Sequence, residues 1–158
     1  MSKDERQDEK ALVRICDAMT RNVELTTPDA TLQEAARRMR DSGVGILPVG
    51  ENDRLRGVIT DRDIAVRAVA NARDPKSTRV RDAMTPQVIY CFEDQPISEA
   101  AELMEKKAVH RLIVLNRRKR MVGIISLDDL AKVPGEEGRV GQVLDRVAAP
   151  LPPGNSDS

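Results

Sequence analysis

The sequence predicts an α/β fold of two tandem βαββα repeats, packed sheet to sheet about a pseudo-twofold axis. Three observations predict it: an internal duplication, apolar patterning that switches between helical and strand periods, and a length of 158 residues, which suits two small units sharing a core. The duplication is read directly from the residues. Asp17-Ala18-Met19-Thr20 returns as Asp82-Ala83-Met84-Thr85, and at the same offset Val23 matches Val88, Glu34-Ala35-Ala36 matches Glu99-Ala100-Ala101, and Met39 matches Met104. Val44, Leu47 and Val49 then match Val109, Leu112 and Val114. After one inserted residue, Gly57-Val58-Ile59-Thr60-Asp61-Arg62-Asp63-Ile64 faces Gly123-Ile124-Ile125-Ser126-Leu127-Asp128-Asp129-Leu130.

Each copy yields the same elements in order. Val23 to Thr26 and Val88 to Phe92 are the expected leading strands. Thr31-Leu32-Gln33-Glu34 is a capping box, and Leu32, Ala35, Ala36 and Met39 follow at helical spacing, so a helix is expected over 32–41. Its counterpart begins near Pro96, a residue suited to a first helical turn, and carries Ile97, Ala100, Ala101 and Met104 as its core stripe. Ile46 to Val49 and Gly57 to Thr60 read as a hairpin around the turn-forming Gly50-Glu51-Asn52-Asp53-Arg54; Leu112 to Leu115 and Met121 to Ser126 flank the basic Asn116-Arg117-Arg118-Lys119-Arg120. Second helices are expected from Asp61 to Asn71 and from Leu127 to Val133. The organisation is a charged segment 1–13, repeats at 14–73 and 81–133, a linker 74–80 with turn chemistry at Asp74-Pro75-Lys76-Ser77, and a C-terminal segment 134–158. In that last segment Val140, Val143, Leu144 and Val147 suit one short docking helix, and the tail from Pro150 is expected to be disordered.

Composition narrows the function. Lysine plus arginine equals aspartate plus glutamate at 26 each, so no global field favours nucleic acid or an anionic membrane, and with only Tyr90 and Phe92 there is no stacking platform for bases. No apolar run approaches a membrane span, and the charged stretch Met1 to Lys10 does not resemble a signal peptide, so a cytoplasmic location is expected. Cys16 and Cys91 suggest neither a disulfide scaffold nor a zinc site. With one histidine and no nucleophile beside a base, neither catalytic nor metal-binding residues are expected, and no cofactor is required.

The repeated order of Asp-Ala-Met-Thr, amphipathic helix, apolar hairpin and Gly-apolar-apolar-Thr/Ser-x-x-Asp resembles the cystathionine-β-synthase (CBS) domain family, twice over, across roughly residues 14–133. The resemblance implies a regulatory module that holds an adenosine-type nucleotide (AMP, ADP, ATP, NAD or S-adenosylmethionine) in the cleft between repeats. It assigns Thr60 and Ser126 to phosphate and Asp63 and Asp129 to the ribose hydroxyls. A hydroxyl at a helix start donates to an anion that the helix dipole also favours, and an acceptor-only carboxylate suits two adjacent O–H donors. Gly57 and Gly123 are expected to let a ligand approach the strand closely, and Val23, Ile46, Pro48, Val88 and Val109 to stand near adenine or simply in the core. Arg62, and the pair His110-Arg111 that is similar to a phosphate-reaching pair in some members, are the candidate cations. Gly45-Ile46 occupies the corresponding place in the first copy, which argues for unequal clefts.

The competing readings are definite. Thr60, Asp61 and Asp63 are also what a helix N-cap needs. A non-catalytic dimerisation module with empty clefts, or one using Cys91 for redox sensing, is the alternative function. The cluster at Arg117 to Arg120 is expected to be a solvated turn, with contact to an acidic partner as its alternative. A homodimer is expected through residual apolar surface on the helices Leu32 to Arg40 and Ile97 to Lys106, and a stand-alone sensor of this kind signals to a regulated protein that the sequence does not identify.

Overall fold

The computed structural model describes residues 13–148. The expected charged segment before Val13 and the tail from Pro150 lie outside the described residues. In chain order the elements are α1 (Ile15–Ala18), α2 (Leu32–Ser42), β1 (Ile46–Glu51), β2 (Arg54–Thr60) and α3 (Asp61–Asp63), which continues as a π-helical stretch, Ile64–Val69. Then follow α4 (Val80–Ala83), β3 (Tyr90–Phe92), α5 (Ile97–Lys107), β4 (Arg111–Leu115), β5 (Met121–Ser126), α6 (Leu127–Ala131) and α7 (Glu137–Ala148). They form two compact units. The first contains residues 22–90 and 117–121; the second contains 13–21, 91–116 and 122–148.

In the first unit, α2 starts because Thr31 Oγ1 accepts the Glu34 N–H at 3.2 Å while the Glu34 carboxylate accepts the Thr31 N–H at 3.1 Å. It stops where Gly43 turns left-handed (φ 66°) and returns its N–H to the last turn. The expected linker is built into this start: the Thr78 and Pro75 carbonyls accept the N–H groups of Leu32 and Gln33, two donors that a helix leaves unpaired. β1 and β2 form an antiparallel hairpin with Ile46 opposite Thr60 and Leu47 opposite Ile59. Its tip is Asn52-Asp53, both with positive φ (54° and 60°), the two-residue turn that matches strand twist. That tight turn lets both strands run longer than the apolar runs alone suggest. Leu32, Ala35, Met39, Leu47, Val49, Ile59, Ala68, Val80 and Ala83 make the core.

In the second unit the sheet order is β3-β4-β5. Leu112 to Leu115 are all buried, and α5 covers its core with Ile97, Ala100, Ala101 and Met104. α7 packs on α5 and α6 through Val143, which is fully buried, whereas Leu144 and Val147 remain exposed.

Three expectations are corrected. The leading strand of the first copy is not a strand: Thr26 alone pairs, its N–H donating to the Pro48 carbonyl and its carbonyl accepting the Gly50 N–H, and no ladder bonds hold Val23 to Leu25. In the second copy pairing begins at Tyr90 rather than Val88. The helix expected from Asp61 to Asn71 widens after one turn, with the Ala70 N–H reaching back five residues to Ala65 at 2.9 Å.

The repeated tetrapeptide has a structural role in each unit. Asp17 and Asp82 accept the N–H of Arg14 and Arg79 through their carboxylates, closing the starts of α1 and α4. The threonines then pair with the opposite sequence copy: Thr85 exchanges both backbone bonds with Val58 (2.9 and 2.8 Å), and Thr20 does the same with Ile124 (2.8 and 3.0 Å).

Candidate functional site

β2 delivers Thr60 to the start of α3. Thr60 Oγ1 accepts the Asp63 N–H at 3.0 Å, and Asp63 Oδ2 accepts the Thr60 N–H at 3.0 Å. β5 delivers Ser126 to α6 in the same way, with the Asp129 N–H at 3.2 Å from Ser126 Oγ and the Ser126 N–H at 2.9 Å from Asp129 Oδ2. Both motifs are therefore reciprocal capping boxes, as the N-cap reading anticipates. The caps leave chemistry to spare. Each hydroxyl accepts a bond and still has its proton to donate, and each half-buried carboxylate uses one of about four lone-pair sites on its cap.

The copies differ around this shared geometry. Asp63 also receives the Thr85 hydroxyl, 3.3 Å from Oδ1 and 3.4 Å from Oδ2, and Arg67 stands 3.9 Å away. Arg67 is itself anchored on the carbonyls of Ala83 and Met84. Among the described residues Thr20, the counterpart of Thr85, gives no such bond to Asp129. Sequence reasoning missed Thr85, although its recurrence as Thr20 in an otherwise structural tetrapeptide was a signal. The second difference lies at the Gly45 and His110 positions. The Asp61 N–H bonds the Gly45 carbonyl, and a Cβ on Gly45 would meet the Asp61 carboxylate at 2.7 Å. In the second copy Leu127 replaces Asp61 and its N–H bonds the His110 carbonyl at 2.9 Å, which ties His110-Arg111 to the Ser126 motif.

The candidate residues sort cleanly by unit. Val23, Ile46, Pro48, Gly57, Thr60, Arg62, Asp63 and Val88 fall in the first; Val109, His110, Arg111, Gly123, Ser126 and Asp129 fall in the second. Ile46 lies directly across the ladder from Thr60, Arg62 and His110 are exposed, and Arg111, Val23, Val88 and Val109 are half-buried. Pro48 is buried with its carbonyl committed to Thr26. At Gly57 and Gly123 the space a Cβ would take is filled by the chain itself, by the Thr85 and Thr20 carbonyls, so a close approach of backbones already calls for glycine at both positions.

Cys91 does not suit redox sensing. It is buried, and desolvation pushes its thiol up to about 12, leaving almost no thiolate at neutral pH. Among the described residues no cluster of side chains could hold a metal ion, and no helix is long and apolar enough to cross a membrane.

Comparisons with known proteins agree with this architecture. The family model for the CBS domain matches residues 15–69 and again 80–136. The CBS domain-containing protein YhcV of Bacillus subtilis is 34% identical over 132 residues, covering 84% of this chain and 93% of the relative. Hypoxic response protein 1 of Mycobacterium tuberculosis is 32% identical over 136 residues, covering 85% and 94%. Among solved structures, the CBS domain pair of protein MJ0100, crystallised in complex with 5′-methylthioadenosine and S-adenosyl-L-methionine, superposes with a TM-score of 0.67 at 26% identity, covering 77% of this chain and 94% of that one. The duplicated sequence, the paired motifs and these matches place the chain in the CBS-domain family, as a tandem CBS pair of the regulatory kind.

Proposed function

We propose that this CBS pair senses an adenosine-type nucleotide, of the set AMP, ADP, ATP, NAD or S-adenosylmethionine, and passes the signal to a regulated protein partner. The observation that carries the reading is the motif built twice in one geometry, a hydroxyl at a helix start with a half-buried carboxylate one turn on. Thr60 and Ser126 donate to phosphate; Asp63 and Asp129 accept from the ribose hydroxyls; Arg62 and the His110-Arg111 pair supply positive charge. The nucleoside ligands of the MJ0100 pair support the same ligand class. Binding needs no catalysis, no cofactor beyond the regulatory nucleotide and no metal from this chain.

The ribose role makes a sharp expectation. AMP binds at least tenfold more tightly than 2′-deoxy-AMP in calorimetry, because the deoxy ligand leaves a half-buried carboxylate under-satisfied. Equal affinities remove the aspartates from ribose recognition. The second reading, a dimerisation module with empty sites, is favoured by the capping boxes, which account for both motifs without a ligand. It predicts binding of neither compound.

We also propose a homodimer, through different surface from that expected. The large apolar residues of α2 and α5 are buried in their own units, and only Ala36 and half-buried Leu103 remain. Val66 (54% exposed) and Val69 (70%) on the π-helical stretch offer apolar area instead. Sedimentation at micromolar concentration should show twice the single-chain mass, shifting towards the monomer in Val66→Lys/Val69→Lys. A wild-type chain that sediments only as a monomer contradicts this.

A further inference from the structure

We propose that the first unit carries a second ligand site, a pocket for a small, multiply charged phosphate anion, at the end of its hairpin remote from Thr60. The cavity has a volume of about 1190 Å³ and opens to solvent. Its walls are the segment Leu25 to Ala30, one face of α2, the β1–β2 turn and the tip of the β4–β5 hairpin, which belongs to the same unit. None of the candidate nucleotide residues lines it. Arg54 and Thr60 close opposite ends of the seven-residue β2, about 20 Å apart at roughly 3.3 Å per residue, so the two sites are physically distinct.

The charges around the cavity select the sign of its occupant. Most of its carboxylates are already committed. Asp29 pairs with Arg81, whose guanidinium holds the carboxyl below its ordinary range; Glu51 faces Arg56 at 3.9 Å; and Glu34 closes the α2 capping box. Arg38 is likewise engaged, by Glu24 at 3.2 Å. The side chains of Arg37, Arg54 and Lys119 have no hydrogen-bond or ion-pair partner among the described residues, and Asp53 is the one lining carboxylate in the same condition. Three cations from three separate segments thus converge on one cavity against one uncommitted acid, and two of them are guanidiniums able to grip phosphate oxygens in pairs.

Two further features fit a built site. Lys119 is held in left-handed backbone (φ 61°), a costly conformation that glycine would adopt freely at a hairpin tip. Thr26 lines the cavity with its hydroxyl buried and unpartnered, a condition that a bound ligand or its waters can relieve. The volume exceeds the roughly 300 to 1,000 Å³ of ordinary small-molecule pockets, so the site suits several linked phosphates better than one.

The proposal does not depend on the nucleotide reading, and inorganic tripolyphosphate, which has no nucleoside, tests it alone. Calorimetric titration of the full chain should give saturable binding, weakened about tenfold by Arg37→Ala and by Lys119→Ala, the effect of losing one charge-assisted contact. The charge-matched Arg73→Ala, exposed and outside the cavity, should bind as the wild type does, with circular dichroism confirming that each variant is folded. Absence of saturable binding overturns the proposal. So does binding that Arg37→Ala, Arg54→Ala and Lys119→Ala all retain, since the anion then sits elsewhere. A polyglutamate peptide that binds more tightly than tripolyphosphate through the same residues also overturns it, and gives the pocket to an acidic protein.

Discussion

Replacing Gly57 by alanine should destabilise the protein by about 3 kcal/mol in urea unfolding, and Gly123→Ala should cost about as much. The alanine methyl at position 57 falls on the Thr85 carbonyl and within 3.1 Å of Pro86 Cα, and at position 123 it falls on the Thr20 carbonyl and 3.0 Å from the Met19 sulfur. Both obstacles include backbone, which cannot rotate aside as a side chain can. Relief requires the segments to part, and parting breaks the paired bonds of Val58 with Thr85 or of Ile124 with Thr20. Both glycines are buried, so the freed backbone groups are not readily satisfied by water. Glycine-to-alanine changes at Gly138 and Gly141, where nothing lies within 4 Å and the chain is helical, should instead be neutral or stabilising by up to about 1 kcal/mol. A wild-type midpoint for Gly57→Ala would mean that the Thr85 segment does not pack on β2 as described.

The second large effect concerns the ligand. Asp63→Asn should weaken nucleotide binding by roughly 10- to 100-fold, and about tenfold more than Asp129→Asn does. Losing a charge-assisted contact to ribose is worth about 1.5 to 3 kcal/mol. Asparagine keeps an oxygen for the Thr60 N–H, so the variant separates ribose binding from helix capping better than alanine, which also removes that acceptor. The ranking of the two motifs rests on surroundings. Thr85 orients the Asp63 carboxylate with an added hydroxyl, whereas Asp129 lacks that donor. On the proposed reading, Arg62 stands beside the phosphate at the first motif and Asp128 beside the phosphate at the second. At an effective dielectric of about 20, unit charges some 6 Å apart interact by roughly 3 kcal/mol, and the exposure of both side chains reduces this severalfold. Arg111, tied to the second motif through His110, works in the opposite direction. If Asp129→Asn abolishes binding and Asp63→Asn does not, the motif beside His110-Arg111 is the principal one.

Much of the fold was legible because its signals are local. The capping box at Thr31 and the stripe Leu32, Ala35, Met39 mark α2 to within a residue of its end at Ser42. Turn chemistry around Asn52-Asp53 marks the hairpin, and Pro96 marks the start of α5. The unreadable parts are non-local. An offset between repeats says that Thr20 and Thr85 are equivalent, but not that each pairs with the strand of the other copy, and without that pairing the crowding at Gly57 and Gly123 looks like room for a ligand. The leading segment Val23 to Thr26 is apolar enough for a strand, yet its neighbour β1 offers it only the Pro48 carbonyl and the Gly50 N–H. Ala65 to Ala70 carries nothing in its composition that announces a π-turn. Of the candidate site, the Thr60/Asp63 and Ser126/Asp129 pairs were legible because i, i+3 spacing at a helix start is itself geometry. Thr85 was not, since its approach to Asp63 depends on that exchange of segments.

A thermal-shift panel of AMP, ADP, ATP, NAD and S-adenosylmethionine, run against matched concentrations of inorganic tripolyphosphate, tests the central claim most directly. A ligand at 100 times its dissociation constant adds about 2.7 kcal/mol of stability, easily seen for a chain of this size. At least one adenosine compound should raise the melting temperature, and Asp63→Asn should remove most of that shift while leaving the tripolyphosphate shift in place. A panel in which no adenosine compound gives a shift that depends on Asp63 would contradict nucleotide sensing and leave the paired motifs as helix caps alone.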